Sequence, residues 1–314
     1  MSDLFIDLNI LHDPNDQKTT TELVKLAVEL GYDIVAINID IGDVSLRLSD
    51  DANESVGKGK KRKKQQEKMK SIPAPFKVDH RFLDFSTRQA SGKPQFRQYT
   101  RLTLTMEDPD IVHHVLKNTT IQEYDIVAIY PKTESIFSTI INKTEIDMVT
   151  MDMGERAPWV SKGRLVQMAI EKGMAFEITY ASALSDSSKR RDAFCNGRDL
   201  VRACGRKTDG LVLCSRSSRA IELRAPYDAA NMALLFGVKN ADDGRRAVGT
   251  NARRLLLRAE AKRKTLKGVV AVQDVEQMGD RALLHKLTKI PEFRVELETA
   301  DAKRRRTGSG QTPE

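Results

Sequence analysis

Short runs of apolar and β-branched residues recur along the chain, at residues 4–8, 34–39, 101–106, 126–130, 147–151, 175–180, 210–214 and 220–224. Four to six apolar positions in a row, without polar alternation, mark strands buried on both faces, as in a parallel sheet. Between them, residues 20–30, 110–117, 133–142, 162–172 and 188–204 carry apolar residues at helical spacing. In the first of these segments Leu23, Leu26, Ala27 and Leu30 share one face, and Gly31 follows as a stop. Strand–helix alternation of this kind predicts βαβ units. Eight units, with no G-x-G-x-x-G after any strand, favour a closed barrel over an open doubly wound sheet, which is the alternative.

After the eighth run the pattern becomes purely helical. Pro226 sits at a first-turn position and Gly237 closes the next apolar stretch. Asn240 is expected to cap a helix with Asp242 and Asp243 in its first turn, and Gly249 to end it. Thr250 or Asn251 then caps a helix over 252–264, apolar at Leu255, Leu256 and Ala259 and basic at Arg253, Arg254, Arg258, Lys262, Arg263 and Lys264. That helix reads equally as a phosphate-backbone platform and as an amphipathic closing helix with a solvated face. The fold expected is α/β, a TIM-like (β/α) barrel with extra C-terminal helices forming one domain over 1–267. A basic insertion at 49–75 and a flexible basic tail at 268–314 are expected to be disordered.

Composition refines this picture. The 314 residues carry 52 Lys and Arg against 44 Asp and Glu, a formal +8, with 31% charged residues and only 5% aromatic ones. No apolar run approaches the roughly 18 to 20 residues that span a bilayer. The first residues read as a strand, not as a signal peptide. Three cysteines (Cys195, Cys204 and Cys214) form no C-x-x-C pair, which argues against a disulfide framework or a zinc knuckle and for an intracellular address. The insertion contains Lys60, Lys61, Arg62, Lys63 and Lys64, and the tail contains Lys303, Arg304, Arg305 and Arg306. Such runs are candidate nuclear-targeting or nucleic-acid patches.

Candidate chemistry is sparse. The five histidines are His12, His80, His113, His114 and His285, and none forms an H-x-H or H-x-x-x-H pair able to fix a divalent ion. The strand ends offer Asn38, Asp40, Lys132, Asp152, Glu177, Ser215 and Glu222. Scattered carboxylates could hold magnesium, so a metal-dependent phosphoesterase stays open as a minority reading. No nucleophile elbow or Walker loop occurs. Trp159, the single tryptophan, is expected to be partly buried against the barrel. Positive charge, by contrast, is concentrated: residues 188–267 hold 20 Lys and Arg against 8 Asp and Glu, a local +12. Arginine dominates, which suits bidentate phosphate contacts. With few aromatics for stacking, backbone and shape recognition of folded RNA fits better than base readout, the alternative being an acidic protein partner.

One stretch, Tyr124-Asp125-Ile126-Val127-Ala128-Ile129-Tyr130-Pro131-Lys132-Thr133-Glu134, resembles a strand-and-loop signature of the barrel-type, 30-kDa protein subunit of eukaryotic and archaeal ribonuclease P. Three more stretches match in family order. These are Gly31-Tyr32-Asp33-Ile34-Val35-Ala36-Ile37-Asn38, then Ala175-Phe176-Glu177-Ile178 with Lys189-Arg190-Arg191, and last Ile221-Glu222-Leu223-Arg224-Ala225-Pro226-Tyr227-Asp228. The resemblance covers about residues 3–265. It implies a barrel of the polymerase-and-histidinol-phosphatase superfamily that has lost its metal ligands, with Asp7 and Asn9 standing where the first histidine pair would be. It also implies a non-catalytic subunit without cofactor or metal, which binds the ribonuclease P and MRP RNA for removal of precursor-tRNA 5′ leaders. The implied partners are that RNA, precursor tRNA, a small α/β-sandwich subunit and other proteins of a nuclear, or nucleolar, particle. By matching positions, RNA contact is expected at Lys132, Arg190, Arg191 and Arg224. Arg101 is a weaker candidate, because a buried arginine there could pair with Glu177 or Glu222. Arg216, Arg253 and Arg254 join the set on charge and position at strand ends and helix starts.

Overall fold

A computed structural model describes residues 4–43, 72–93, 95–205 and 208–264. The nuclear-targeting candidates Lys60, Lys61, Arg62, Lys63, Lys64, Lys303, Arg304, Arg305 and Arg306 lie outside the described residues, as do most of the 49–75 insertion and the 268–314 tail.

Seven parallel strands follow one another around a single sheet: β1 (Ile6–Leu11), β2 (Ile34–Asp43), β3 (Arg97–Met106), β4 (Ile126–Pro131), β5 (Met148–Val149), β6 (Ala175–Thr179) and β7 (Leu211–Cys214). The helices are α1 (Gln17–Leu30), α2 (Ser86–Ala90), α3 (Pro109–Leu116), α4 (Thr119–Gln122), α5 (Glu134–Ile140), α6 (Gly163–Glu171), α7 (Ala181–Ser185), α8 (Ser187–Cys204), α9 (Pro226–Met232), α10 (Ala241–Val248) and α11 (Thr250–Lys264). Beyond β7 the chain returns to β1 through a parallel bridge between Ile10 and Ser217, where the Leu11 N–H donates to the Ser217 carbonyl at 3.0 Å. The result is the expected TIM-like barrel, nearly closed.

Among the described residues the expected eighth strand does not form. Ala220–Glu222 forms a 3-10 turn instead. The Glu222 carboxylate accepts the N–H groups of Ser218 and Arg219 at 2.9 and 3.2 Å and pairs with the Arg219 guanidinium at 2.7 Å. The segment is therefore folded onto its own backbone, and Pro226 starts α9 directly afterwards. Ile221, whose β-branched side chain prompted the strand reading, is 74% exposed.

Strand parity sorts the core into two compartments. Val35, Ile37, Leu102, Leu104, Val127, Ile129, Phe176, Ile178, Leu211 and Leu213 face outward into the layer of helices. Ile6, Leu8, Ile34, Ala36, Tyr99, Ile126, Ala128, Met148, Ala175, Val212 and Cys214 face inward, joined by Ala252, Leu255 and Leu256 of α11. Helix α11 thus plugs the N-terminal end of the barrel. Two of its basic residues are spent there. Lys262 and Arg263 pair with the buried Asp147 at 3.0 and 2.6 Å, and Glu260 accepts the Tyr99 hydroxyl at 2.9 Å. Of the two readings of this segment, the closing helix describes its inner face.

Local cues hold with two corrections. Gly31 ends α1 at φ +100°, a left-handed value that only glycine adopts readily. Asn240 stands at the cap position of α10, but its side chain makes no capping bond. Thr250 and Asn251 lie inside α11 instead of capping it, and the Asn251 amide donates to the carbonyls of Thr208 and Leu211, both at 2.8 Å. Trp159 is fully buried, stacked on Phe137 with its indole N–H donating to the Pro131 carbonyl at 2.9 Å.

Candidate nucleic-acid interface

At the C-terminal end of the strands the barrel interior turns polar, because the inward parity that supplies Tyr99, Ala36 and Ala175 next supplies Arg101, Asn38 and Glu177. Arg101 is 0% exposed and grips Glu177 with both guanidinium nitrogens, at 2.5 and 2.7 Å. It also donates to the Leu8 carbonyl at 3.0 Å and to the Thr103 hydroxyl at 3.2 Å. Glu177 further accepts from the Asn9 amide at 3.0 Å and the Thr150 hydroxyl at 2.5 Å. The Asn38 amide donates to Asn9 at 2.8 Å and Thr103 donates to Asn38 at 2.8 Å, which closes the network. Burial alone would raise the Glu177 carboxyl. The Arg101 guanidinium, with the bonds from Arg101 and Thr150, overrides that and holds it below the ordinary carboxylate range. Such a network is stable because no member is left unpaired.

This geometry corrects the expectation for Arg101: a guanidinium with no exposed surface and a bidentate carboxylate cannot meet RNA. Asp7, expected beside Asn9, faces the seam between β1 and β7. One carboxylate oxygen accepts the N–H groups of Asn9 and Ser215 at 3.0 and 3.2 Å, and the other has no hydrogen-bond partner among the described residues. Burial raises its pKa. His12 stacks on Phe76 and bonds to the Thr20 hydroxyl at 2.8 Å. Among the described residues no three His, Cys, Asp or Glu side chains converge as metal ligands.

Above the network a cavity of about 350 Å³ opens at the barrel mouth, lined in part by Asp40, Glu107, Lys132, Asp152, Glu155 and Arg216. Lys132 lies 4.6 Å over the Tyr130 ring and 2.6 Å from Glu155. Arg216 pairs with Asp40 at 3.0 Å and is the one non-glycine residue with positive φ, +52°, among the described residues. The mouth proper is therefore not basic; its cations are matched or outnumbered by carboxylates.

The remaining candidates fall at two ends. Arg190 and Arg191 start α8, beside the mouth, since Asn196 of the same helix donates to the Met153 and Glu155 carbonyls at 2.8 and 2.9 Å. Arg191 is exposed and has no ion-pair partner among the described residues, while Arg190 donates to the Ala183 carbonyl at 2.7 Å. Arg224 bonds back to the Ile221 and Leu223 carbonyls at 2.7 and 3.0 Å. Its own backbone is gripped by two buried tyrosines, Tyr32 donating to its carbonyl at 2.9 Å and Tyr180 accepting its N–H at 3.2 Å. Arg253 and Arg254 sit on α11 at the opposite end, Arg254 lying 3.5 Å from Asp209. The structure therefore does not bring the basic residues of 188–267 onto one flank. Sequence reasoning missed the tyrosine clamp and the role of Asp147. The signal for Asp147 was a lone carboxylate directly before an apolar strand.

The family model described as RNase P subunit p30 matches residues 4–264. A mouse protein named Ribonuclease P protein subunit p30 is 35% identical over 270 residues, covering 85% of this chain and 90% of the relative. The Saccharomyces cerevisiae Ribonuclease P/MRP protein subunit RPP1 is 24% identical over 286 residues, covering 88% of each chain. A chain in the cryo-EM structure of archaeal Ribonuclease P with mature tRNA superposes with a TM-score of 0.56 at 13% identity, over 87% of this chain and 100% of that one, which shows the shared fold.

Proposed function

The chain belongs to the RNase P subunit p30 family, and we propose that it works as a non-catalytic protein subunit of ribonuclease P and of the related ribonuclease MRP. The observation that carries this is the unbroken family match over residues 4–264, which takes in every described strand and helix, including the α11 plug. The barrel interior supports it: where a barrel enzyme gathers reacting groups, this chain has an internally satisfied Arg101–Glu177 network.

In this reading the RNA performs tRNA 5′-leader removal, and the protein neutralises and shapes it. The contacting residues are Lys132, Arg190, Arg191, Arg216 and Arg224 around the mouth and the start of α8, with Arg253 and Arg254 at the far end. Lys132 and Arg216 would exchange their carboxylate partners for phosphate. The partners are the particle's RNA, precursor tRNA and a small α/β-sandwich subunit. The site of action is the nucleus, with the nucleolus as its compartment for ribosomal RNA.

The test is copurification. The tagged chain should retrieve the ribonuclease P and MRP RNAs, and Lys132→Ala with Arg224→Ala should weaken RNA binding and flatten its salt dependence by about two contacts' worth. Unchanged affinity and slope would remove those residues from the interface. Hydrolysis of a phosphate ester with Mn²⁺, lost on Asp7→Ala and Asn9→Ala, would overturn the reading as a whole.

A further inference from the structure

A second concavity lies outside the barrel. A cavity of about 640 Å³ separates the 156–163 segment from α8 and is walled by Arg156, Pro158 and Val160 on one side and by Asn196, Arg202 and Ala203 on the other. The first turn of α6, which begins at Gly163 on this wall, carries neither an acidic residue nor a side-chain cap. Along α8, Arg191, Cys195, Arg198 and Arg202 follow at spacings of four, three and four residues, so they form one exposed stripe, which reaches the cavity at Arg202. At about 1.5 Å per residue the three guanidiniums are spread over about 16 Å of helix. Arg156 and Arg191 have no ion-pair partner among the described residues, and Arg202 meets only the exposed Asp199, at 2.9 Å.

We propose that this stripe and the cavity beside it form an RNA-binding groove in which Arg191, Arg198, Arg202 and Arg156 hold consecutive phosphates and the cavity admits an unpaired nucleotide. This rests on the subunit reading above and extends it to a surface away from the strand ends. Three features select RNA over an acidic peptide. The cations are all arginine, whose fork pairs with phosphate in a bidentate manner. Three of them lie in a line on one helix, as a backbone requires, with Arg156 and the apolar patch of Ala157, Pro158, Val160 and Ala203 to one side for a base. The stripe also starts at Arg191, next to the mouth, and so continues the expected interface.

Cys195 gives direct access to the groove, being exposed within the stripe while Cys204 and Cys214 are buried. A photoreactive group attached to Cys195 of the full chain, assembled into its particle, should crosslink to RNA. The variant Arg156→Glu with Arg191→Glu should lower that yield about tenfold and the salt slope of RNA binding by about two. Its thermal melt should not move, because neither side chain has an ion-pair partner among the described residues. A label that crosslinks only to protein, or to nothing, in a particle that still contains the RNA overturns the groove and leaves the subunit assignment standing. A chain that retrieves no RNA overturns both.

Discussion

Arg101 and Glu177 show how a single inward-facing position changes meaning with its partner. Arginine on a strand of a basic protein reads as an RNA contact or as half of a buried ion pair, and the opposite wall of the barrel decides for the pair with Glu177. Removing one member leaves a buried, unpaired charge, so Arg101→Ala should cost about 3–5 kcal/mol in urea denaturation. Arg101→Met combined with Glu177→Met should recover most of that loss, since a buried pair contributes little over apolar side chains of similar size. Two carboxylates give opposite pH signatures. Glu177 is held below its ordinary value of 4.5, so its contribution is present above that pH and is lost as the pH falls through its folded value. Asp7 is raised above 3.8 by burial, so it favours the folded state at low pH and opposes it as the pH rises. Asp7→Asn keeps an oxygen for the Asn9 and Ser215 N–H groups. It should therefore be more stable than the natural chain at neutral pH, with the gain vanishing below 3.8. Denaturation at acidic and neutral pH reads the difference.

Elements were legible wherever periodicity was backed by burial on both sides. All seven strands and the long helices fall where the apolar runs and spacings put them, because a parallel sheet leaves few alternatives for such residues. Residues 220–224 were misread for a physical reason. Ile221 and Leu223 fit a strand, but Glu222 is held by Ser218 and Arg219 within its own turn, and this local carboxylate cap outcompetes a ladder at the β1–β7 seam. The basic side of α11 was legible as charge and opaque as destination, since its partner Asp147 lies 115 residues away from Lys262. Asp147→Ala should destabilise the chain by about 3 kcal/mol, as it orphans the Val127 N–H and two cations. It should also speed hydrogen exchange in the last turns of α11. Where α10 meets α9, a Cβ on Gly244 would lie 2.4 Å from the Ala230 carbonyl oxygen. Gly244→Ala should therefore cost about 1–3 kcal/mol, whereas Gly163→Ala, whose nearest neighbour would be 3.6 Å away, should be neutral in the same melt.

For the whole molecule, the formal +8 says less than its distribution. The local +12 of residues 188–267, in which Asp209, Asp242 and Asp243 are already counted, is spread over α8, the mouth and the α11 plug, and part of it is neutralised from outside the stretch by Asp40 and Asp147. Charge counted along a sequence cannot show this, because Asp40 and Asp147 are distant in the chain from the cations they meet. The family's ordered motifs were legible in full, Arg191 with them, while Arg156, which has no ion-pair partner among the described residues, drew attention only in the fold. The two basic runs belong to this scale as well. Replacing Lys60, Lys61, Arg62, Lys63 and Lys64 together with Lys303, Arg304, Arg305 and Arg306 by alanine should shift a fluorescent fusion from nucleus to cytoplasm. Unaltered localisation would separate these runs from import.

The seam between β1 and β7 has a mechanical side. A ring of strands joined everywhere by ladders, but at one place by the Ile10–Ser217 bridge and the bonds of Ser215 to Asp7 and Asn9, behaves as a split washer, and α11, wedged against residues from both lips, is its retaining pin. Strain, heat or a pull from an attached partner should spread the washer at that slit before any strand pair lets go, the Leu11 amide exchanging ahead of those shared by β2 and β3.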